Sequence, residues 1–366
     1  MRQSIRRMKE IRTAKTRTSP LSSCNKALRF VACPPQITAS PYWHSLNDFE
    51  MTVSNLKGAH ARELGTLLCL VFLCIVIWIL SPFFLTWSNL LNILQQTSIN
   101  AIIAVGMTFV IISAGIDLSV GALLAFAGVV VASALHAELP MPVAIVTGLL
   151  AGTLFGGLNG VLITLGKLPP FIATLGLMSI ARGATLVFTE GRPVSGFASA
   201  FRAMATSELL YVPTPVWIML AVYGIAHFIL TQTRHGRYVY AMGGNEEATR
   251  LSGIDIRFHK TAVYAFSGLT SAIAAIMLTA RLNSAQPIAG LNYELDAIAA
   301  TVIGGTSLLG GEGTLMGTLL GALLMGVLRN GLNLLGVSSF LQQIIIGGVI
   351  IVAVLIDVGL KARKKG

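Results

Sequence analysis

Apolar stretches of roughly 18 residues or more recur along most of this chain, and nothing else in it restricts the fold so strongly. A helix of about 20 apolar residues spans the hydrocarbon core of a bilayer, where every backbone polar group must be satisfied within the segment. The first run, "LGTLLCLVFLCIVIWILSPFFL" at 64–85, is too long and too far from the start to be the apolar core of a cleaved signal. Only 11% of the 366 residues are charged and 54% are hydrophobic, whereas soluble domains carry about a quarter charged residues. The expected class is an all-α, polytopic integral membrane protein without a large soluble domain. About ten transmembrane helices are predicted, near 64–85, 93–113, 117–135, 141–165, 170–188, 213–232, 261–281, 293–309, 314–334 and 340–358.

Charge placement sets the orientation. The net charge is +11, and the Lys and Arg residues concentrate in 1–63, in Arg234–Lys260 and in the C-terminal "KARKKG". An even number of spans puts these zones on one side, and the positive-inside rule makes that side cytoplasmic, both termini included. Lys167 falls there too, while Arg192, Arg202 and Arg281 fall opposite. The basic balance is therefore a topology signal and a contact with anionic lipid heads, and no nucleic-acid partner is expected.

Residues 1–50 differ in kind, being rich in Arg, Ser and Pro, with Glu10 the single acid before Asp48. They read either as a disordered tail or as an upstream extension with Met51 as the natural start; the composition also has the character of a transit peptide. Residues 51–366 are expected to form one transmembrane domain. Cys24, Cys33, Cys69 and Cys74 have no metal or disulfide spacing.

Catalytic signatures are missing: Gly166-Lys167 is followed by Leu168, so there is no phosphate-binding loop, and "HAE" at 136–138 lacks a following P-C-x-x-C. No metal site and no bound cofactor are expected. Asp117, Arg182 and Arg329 are the sparse ionisable candidates within spans, too few for an ion relay. Uncharged polar groups are better represented. Gln95, Gln96, Thr97, Ser98 and Asn100 cluster in the second span, with Asn159, Asn283 and Gln286 as weaker members of the class. Buried amides need partners, so this cluster either bonds between helices or lines a path for a neutral, hydroxyl-rich solute.

Glycines recur every four residues at Gly148, Gly152, Gly156 and Gly160, and again at Gly313, Gly317 and Gly321. That spacing gives one helix face where backbones approach closely, serving either tight packing or a sliding surface. "SAGIDLSVG" (113–121) and "IGGTSLLGGEG" (303–313) break helices and are expected as turns at the cytoplasmic face. Asp117 there is a helix cap or a gate.

The stretch "AMGGNEEATRLSGI" (241–254) interrupts the apolar pattern within a cytoplasmic loop at about 233–260. Asn245 suits an N-cap, Glu246 and Glu247 suit a first turn, and Gly253 suits a C-cap. Glu246 and Arg250 stand four apart and can pair. The result is a helix of about two turns, too short to be stable alone. It must dock, and Ala248 with Leu251 is too small an apolar face for firm lipid binding. A protein partner is the better expectation.

"TRHGRYVYAMGGNEEATRLSGI", "NILQQTSINAIIAVGMTFVIISAGIDLSVGALLA" and "ARLNSAQPIAGLNYELDAIAATVIGGTSLLGGEGTLMGTLLGALL" carry a family likeness. Over about 60–358 the chain resembles the ribose/xylose/galactoside permease family of bacterial binding-protein-dependent ABC sugar importers. The resemblance implies the ABC importer permease fold in the bacterial inner membrane. It implies a separate ATPase that uses ATP and Mg, a periplasmic sugar-binding protein, and a permease homodimer. It also implies an ATPase-coupling role for Gly244, Asn245, Glu246, Glu247, Arg250 and Gly253. The alternatives are an ATP-independent secondary transporter or channel, which would need coupling-ion carboxylates in its spans, and a membrane enzyme.

Overall fold

The structure, a computed structural model, describes residues 63–365. The readings made for residues 1–50, and for Met51 as a start, lie outside the described residues. Thirteen helices follow in order: α1 (Glu63–Leu80), α2 (Trp87–Ile112), α3 (Val120–His136), α4 (Met141–Thr164), α5 (Pro170–Thr189), α6 (Ser199–Thr206), α7 (Thr214–Gln232), α8 (Arg234–Gly244), α9 (Glu246–Leu251), α10 (Ile256–Leu282), α11 (Tyr293–Ile303), α12 (Leu315–Leu334) and α13 (Ser339–Lys365). Strands are two residues each. Val194–Ser195 (β1) pairs antiparallel with Ser284–Ala285 (β4), and Glu208–Leu209 (β2) with Val212–Pro213 (β3).

This is a polytopic α-helical membrane protein. Among the described residues, seven helices are long and apolar enough to cross a bilayer, namely α1, α2, α4, α5, α7, α10 and α12, while Val120–His136 and Ser339–Leu355 are shorter apolar helices. Leu68, Phe72 and Ile79 of α1 and Leu154 of α4 are exposed, as lipid-facing side chains must be. The core is built on α2 and α10, whose middle turns are buried on every side.

The stretch expected as a span at 293–309 is helical for only 11 residues, Tyr293–Ile303. At 1.5 Å per residue that is about 16 Å, half a bilayer core. The reason is where α11 starts. Residues 286–292 do not stay at the end of the bundle but return into it. Arg182 of α5 donates to the carbonyls of Pro287 (2.7 Å) and Ala289 (2.8 Å), satisfying backbone groups that no helix covers. Gly290, in the left-handed region (φ +71°), lies backbone to backbone against Gly121 in the first turn of α3.

α3 likewise starts inside. The chain turns after Ile112, and Asp117 of that turn is already bonded to Ser267, well along α10. The two interior starts have similar sequences, "AGIDLSVGALLA" at 114–125 and "AGLNYELDAIAA" at 289–300. Each follows a long core helix, α2 or α10, and each precedes a glycine-bearing helix, α4 or α12.

The glycine series pack helices. A side chain at Gly152, Gly156 or Gly160 would strike the backbone of α10 at Gly268, Tyr264 or Thr261, and Gly148 lies against Val131 of α3. Gly317 and Gly321 lie against Gly304 and Ala300, while Gly313 belongs to the turn before α12 and faces Thr306. The turn at 304–313 meets the end of α2, where Gly311 donates to the Ile112 carbonyl at 2.9 Å. Of the two expected surface turns, 303–313 stays at this end, whereas 113–121 begins here and dives inward.

Candidate functional site

The charged interruption folds as its residues dictate. Thr233 caps α8 by accepting from the Gly236 amide, and Asn245 leaves the helix (φ −158°) to cap α9 by accepting from Ala248 at 2.9 Å. Gly253 follows α9 at φ +80°, a conformation glycine adopts without strain. Asp255 then caps α10 through the amides of Arg257 and Phe258. The expected Glu246–Arg250 pair does not form. Arg250 instead donates to Glu247 at 2.7 Å, three residues away, with both side chains more than 60% exposed. Glu246 faces α10 and takes Lys260 at 2.6 Å. Lys260 is buried, so its charge requires a partner, and Glu246 is the carboxylate within reach.

Thr249 is the buried side chain of α9, while Ala248 and Leu251 turn outward, Leu251 to 79% exposure. The face expected to dock is therefore uncovered by the other described residues. Gly244 has open space where a side chain would sit, but its neighbour Gly243 does not. A Cβ at Gly243 would strike the Ile112 carbonyl and the Gly311 amide. Tyr240 donates to the Gly313 carbonyl at 2.7 Å, and burial pushes its phenol up to about 12. Gly243 and Tyr240 thus join α8 to the turns that lead into α3 and α12. Sequence reading missed Gly243 because the pair "GG" looks like an ordinary hinge.

Beside α9, Lys167, Arg250, Arg257, Lys260 and Glu246 line a cleft of about 570 Å³. Close by, His235 and His259 hydrogen-bond through their Nδ1 atoms at 2.7 Å, and Tyr238 packs edge-on against His259. Burial, and then the neighbouring His259, holds His235 below the usual histidine range.

The polar residues expected on a solute path do not all converge. Gln96 and Asn100 line an open cavity of about 380 Å³ between α2, α10, α11 and α12. Gln95 instead bonds the Ala205 carbonyl, and Ser98 bonds back to Gln95. Asn283 ends α10 in the left-handed region and accepts from the Phe197 amide; Gln286 borders a separate cavity of about 10 Å³. Asn159 donates to Ser119, far from that path.

Charged groups also line the 380 Å³ cavity, namely Arg281, Asp296 and Arg329. Arg329 Nη2 contacts both carboxylate oxygens of Asp296 at 2.7 and 2.6 Å, and Asp296 is 2% exposed. Asp296 was illegible because "YELD" reads as the rim of a span, whereas α11 starts within the bundle.

Asp117 is neither a conventional cap nor at the surface. It is fully buried, accepting from the Ser119 amide (3.0 Å), the Ser119 hydroxyl (2.6 Å) and the Ser267 hydroxyl (2.8 Å). Through Ser119 it also reaches Asn159 of α4. The side chain thereby ties the start of α3 to α4 and α10.

Comparison with known proteins places this sequence among transport proteins. Residues 89–354 match the family described as the permease component of the branched-chain amino acid transport system. The chain is 52% identical over 311 residues to the ribose import permease protein RbsC of Haemophilus influenzae, across 84% of this chain and 96% of that one. It is 53% identical over 317 residues to RbsC of Escherichia coli K12, across 84% and 99%. With the D-allose transport system permease protein AlsC of Escherichia coli K12 it shares 41% over 295 residues, across 80% and 90%. No solved structure matches the chain.

Proposed function

Because this chain belongs to the family of transport-system permease components, we propose that it is the membrane-spanning subunit of an ABC importer for ribose or a related monosaccharide. Similarity to ribose import permeases, higher than to the allose permease, supports the choice of sugar. The subunit is not itself an enzyme. ATP and Mg are used by a separate ATPase on the cytoplasmic side, a periplasmic binding protein delivers the sugar, and two copies of the permease form the path. The setting is the bacterial inner membrane with both termini inside.

One observation carries the mechanism. α9 presents an uncovered outer face, and its inner side is tied to α10 by the Lys260–Glu246 pair. Adjacent Gly243 rests on the ends of the turns leading to α3 and α12. A push on α9 from the ATPase therefore reaches the helices that start inside the bundle. Asn245, Glu246, Glu247, Arg250 and Gly253 form this coupling segment together with Gly243, which makes the contact expected of Gly244, whose own position is open. Closure of the ATPase opens the path outward to the loaded binding protein, and hydrolysis resets it inward.

The test is uptake of labelled ribose, xylose and allose by proteoliposomes holding the permease, its ATPase and the binding protein. Import that needs ATP and prefers ribose is expected. Import by the permease without the ATPase would replace this reading with that of a secondary transporter.

A further inference from the structure

We propose that the cavity between α2, α10, α11 and α12 is a sugar-binding station of the permease itself, taking adjacent hydroxyls of a neutral monosaccharide on Asp296 and Arg329. This rests on the reading of the chain as a sugar permease and adds to it that the permease, and not the binding protein alone, selects the solute.

Hydrogen-bonding capacity left unused in the wall of the cavity carries the inference. Thr97 lines it, is 3% exposed, and its hydroxyl has no partner among the described residues. The Arg329 Nε is a buried atom of a side chain 37% exposed, and it has none either. Buried donors without partners are costly, and natural proteins keep few of them. Both belong to residues that line one space, the Thr97 hydroxyl lying against the Gly326 backbone. Asp296 adds acceptor capacity, because a carboxylate has about four lone-pair directions and a single Arg329 nitrogen occupies both oxygens. Asn100 approaches the same carboxylate at 3.5 Å, the outer limit of a hydrogen bond. Gln96 and Arg281 reach the cavity with no side-chain hydrogen bond among the described residues.

The walls decide the class of ligand. Leu278, Ala322 and Met325 give the space apolar wall beside these polar groups. A sugar ring has the matching character, with C–H groups on its faces and hydroxyls that both donate and accept at its edge. Asp296 accepts from one hydroxyl while Arg329 donates to the next. An acidic solute fits less well, because Arg329 is already committed to Asp296 and would have to leave a buried carboxylate unpaired. The volume, about 380 Å³, lies within the usual range for small-molecule sites of about 300–1,000 Å³. The place also fits, since Asp296 is in the first turn of a helix that starts inside the bundle, where membrane transporters hold their solutes.

The experiment uses the permease with its ATPase in nanodiscs, binding protein withheld, and measures equilibrium binding of tritiated D-ribose. Competition by 2-deoxyribose and by an unlabelled acidic sugar is measured beside it. Saturable binding to the wild type is expected, with weaker competition by the deoxy sugar, since a site built to bond a hydroxyl rejects the analogue lacking it. Thr97→Val keeps shape and charge and should weaken binding about tenfold, the equivalent of about 1.4 kcal/mol. Asp296→Asn and Arg329→Lys should erase the preference for ribose over its deoxy analogue.

Thr97→Val guards against folding failure, because it leaves the ion pair intact. Absent ribose binding in the wild type, unaltered binding in Thr97→Val and Asp296→Asn, or tighter binding of the acidic sugar overturns the station. Import by the full complex with binding protein is recorded in parallel. Intact ribose import alongside any of those outcomes strikes the station alone, and wild-type failure to import any sugar strikes the functional reading beneath it.

Discussion

Lys260 of α10 meets Glu246 of α9 at 2.6 Å, fourteen residues apart in the chain, with the lysine buried and the glutamate half exposed. This pair fastens the short helix to the membrane-spanning core. Glu246→Gln leaves a buried ammonium with a neutral partner. Fully buried pairs broken on one side lose about 3–5 kcal/mol, and the exposed carboxylate reduces this to about 1–3 kcal/mol. Glu247→Gln, which disturbs only the exposed contact with Arg250, should cost under about 1 kcal/mol. Thermal unfolding in detergent measures both. Equal losses would show that the buried lysine does not depend on Glu246.

Gly243 and Gly244 should separate cleanly. A methyl group at position 243 meets the Ile112 carbonyl and the Gly311 amide, whereas at 244 it meets open space. Gly243→Ala is expected to reduce ATP-driven uptake at least tenfold at normal membrane abundance. Gly244→Ala should transport within about twofold of wild type, since it adds a side chain to an open position. Uptake assays with quantitative immunoblots check the pair, and a reversed order would move the coupling contact off Gly243.

The glycine ladder of α4 should not accept bulk. Gly156→Leu places a branched side chain against the Tyr264 carbonyl and Gly268, a backbone surface that cannot rotate away. Overpacking costs about 1–3 kcal/mol and more where backbone must shift. Gly176→Leu on α5 meets nothing within 4 Å and serves as the control. Loss of folded protein, seen by size-exclusion chromatography, is expected for the first and not for the second.

Acid should loosen the α8–α10 contact. His235 titrates below the usual histidine value because burial and His259 oppose its charge. A base with a lowered folded pKa makes the unfolded chain bind more protons, so stability falls as pH falls through about 6.5. His235→Gln should flatten the dependence of Tm on pH between about 7 and 5. An unchanged slope would assign the acid sensitivity elsewhere.

Local chemistry was legible in the sequence and distant pairing was not. Asn245 and Gly253 announce the ends of α9 because caps act within a few residues. The Gly152–Gly160 spacing announces a packed face because helix geometry alone sets it. Glu246 was assigned to Arg250 because i,i+4 proximity can be read from spacing, but the demand of buried Lys260 cannot. Asp296 stayed hidden because apolar flanks made 293–309 look like a full span. One signal could have exposed it: the likeness between 114–125 and 289–300 marks α11 as a counterpart of α3, so a break known on one side predicts the other.

Gly121 and Gly290 meet backbone to backbone where those two short helices begin. Backbone meets backbone there, with the Glu294 carboxylate beside Gly121, so little interlocks when one helix shifts against the other. Most contacts inside proteins behave as latches, holding one register by the shape of their side chains. This one is built as a bearing. It permits rotation about a fixed point and leaves the choice of position to whatever pushes on the distant ends of the two helices.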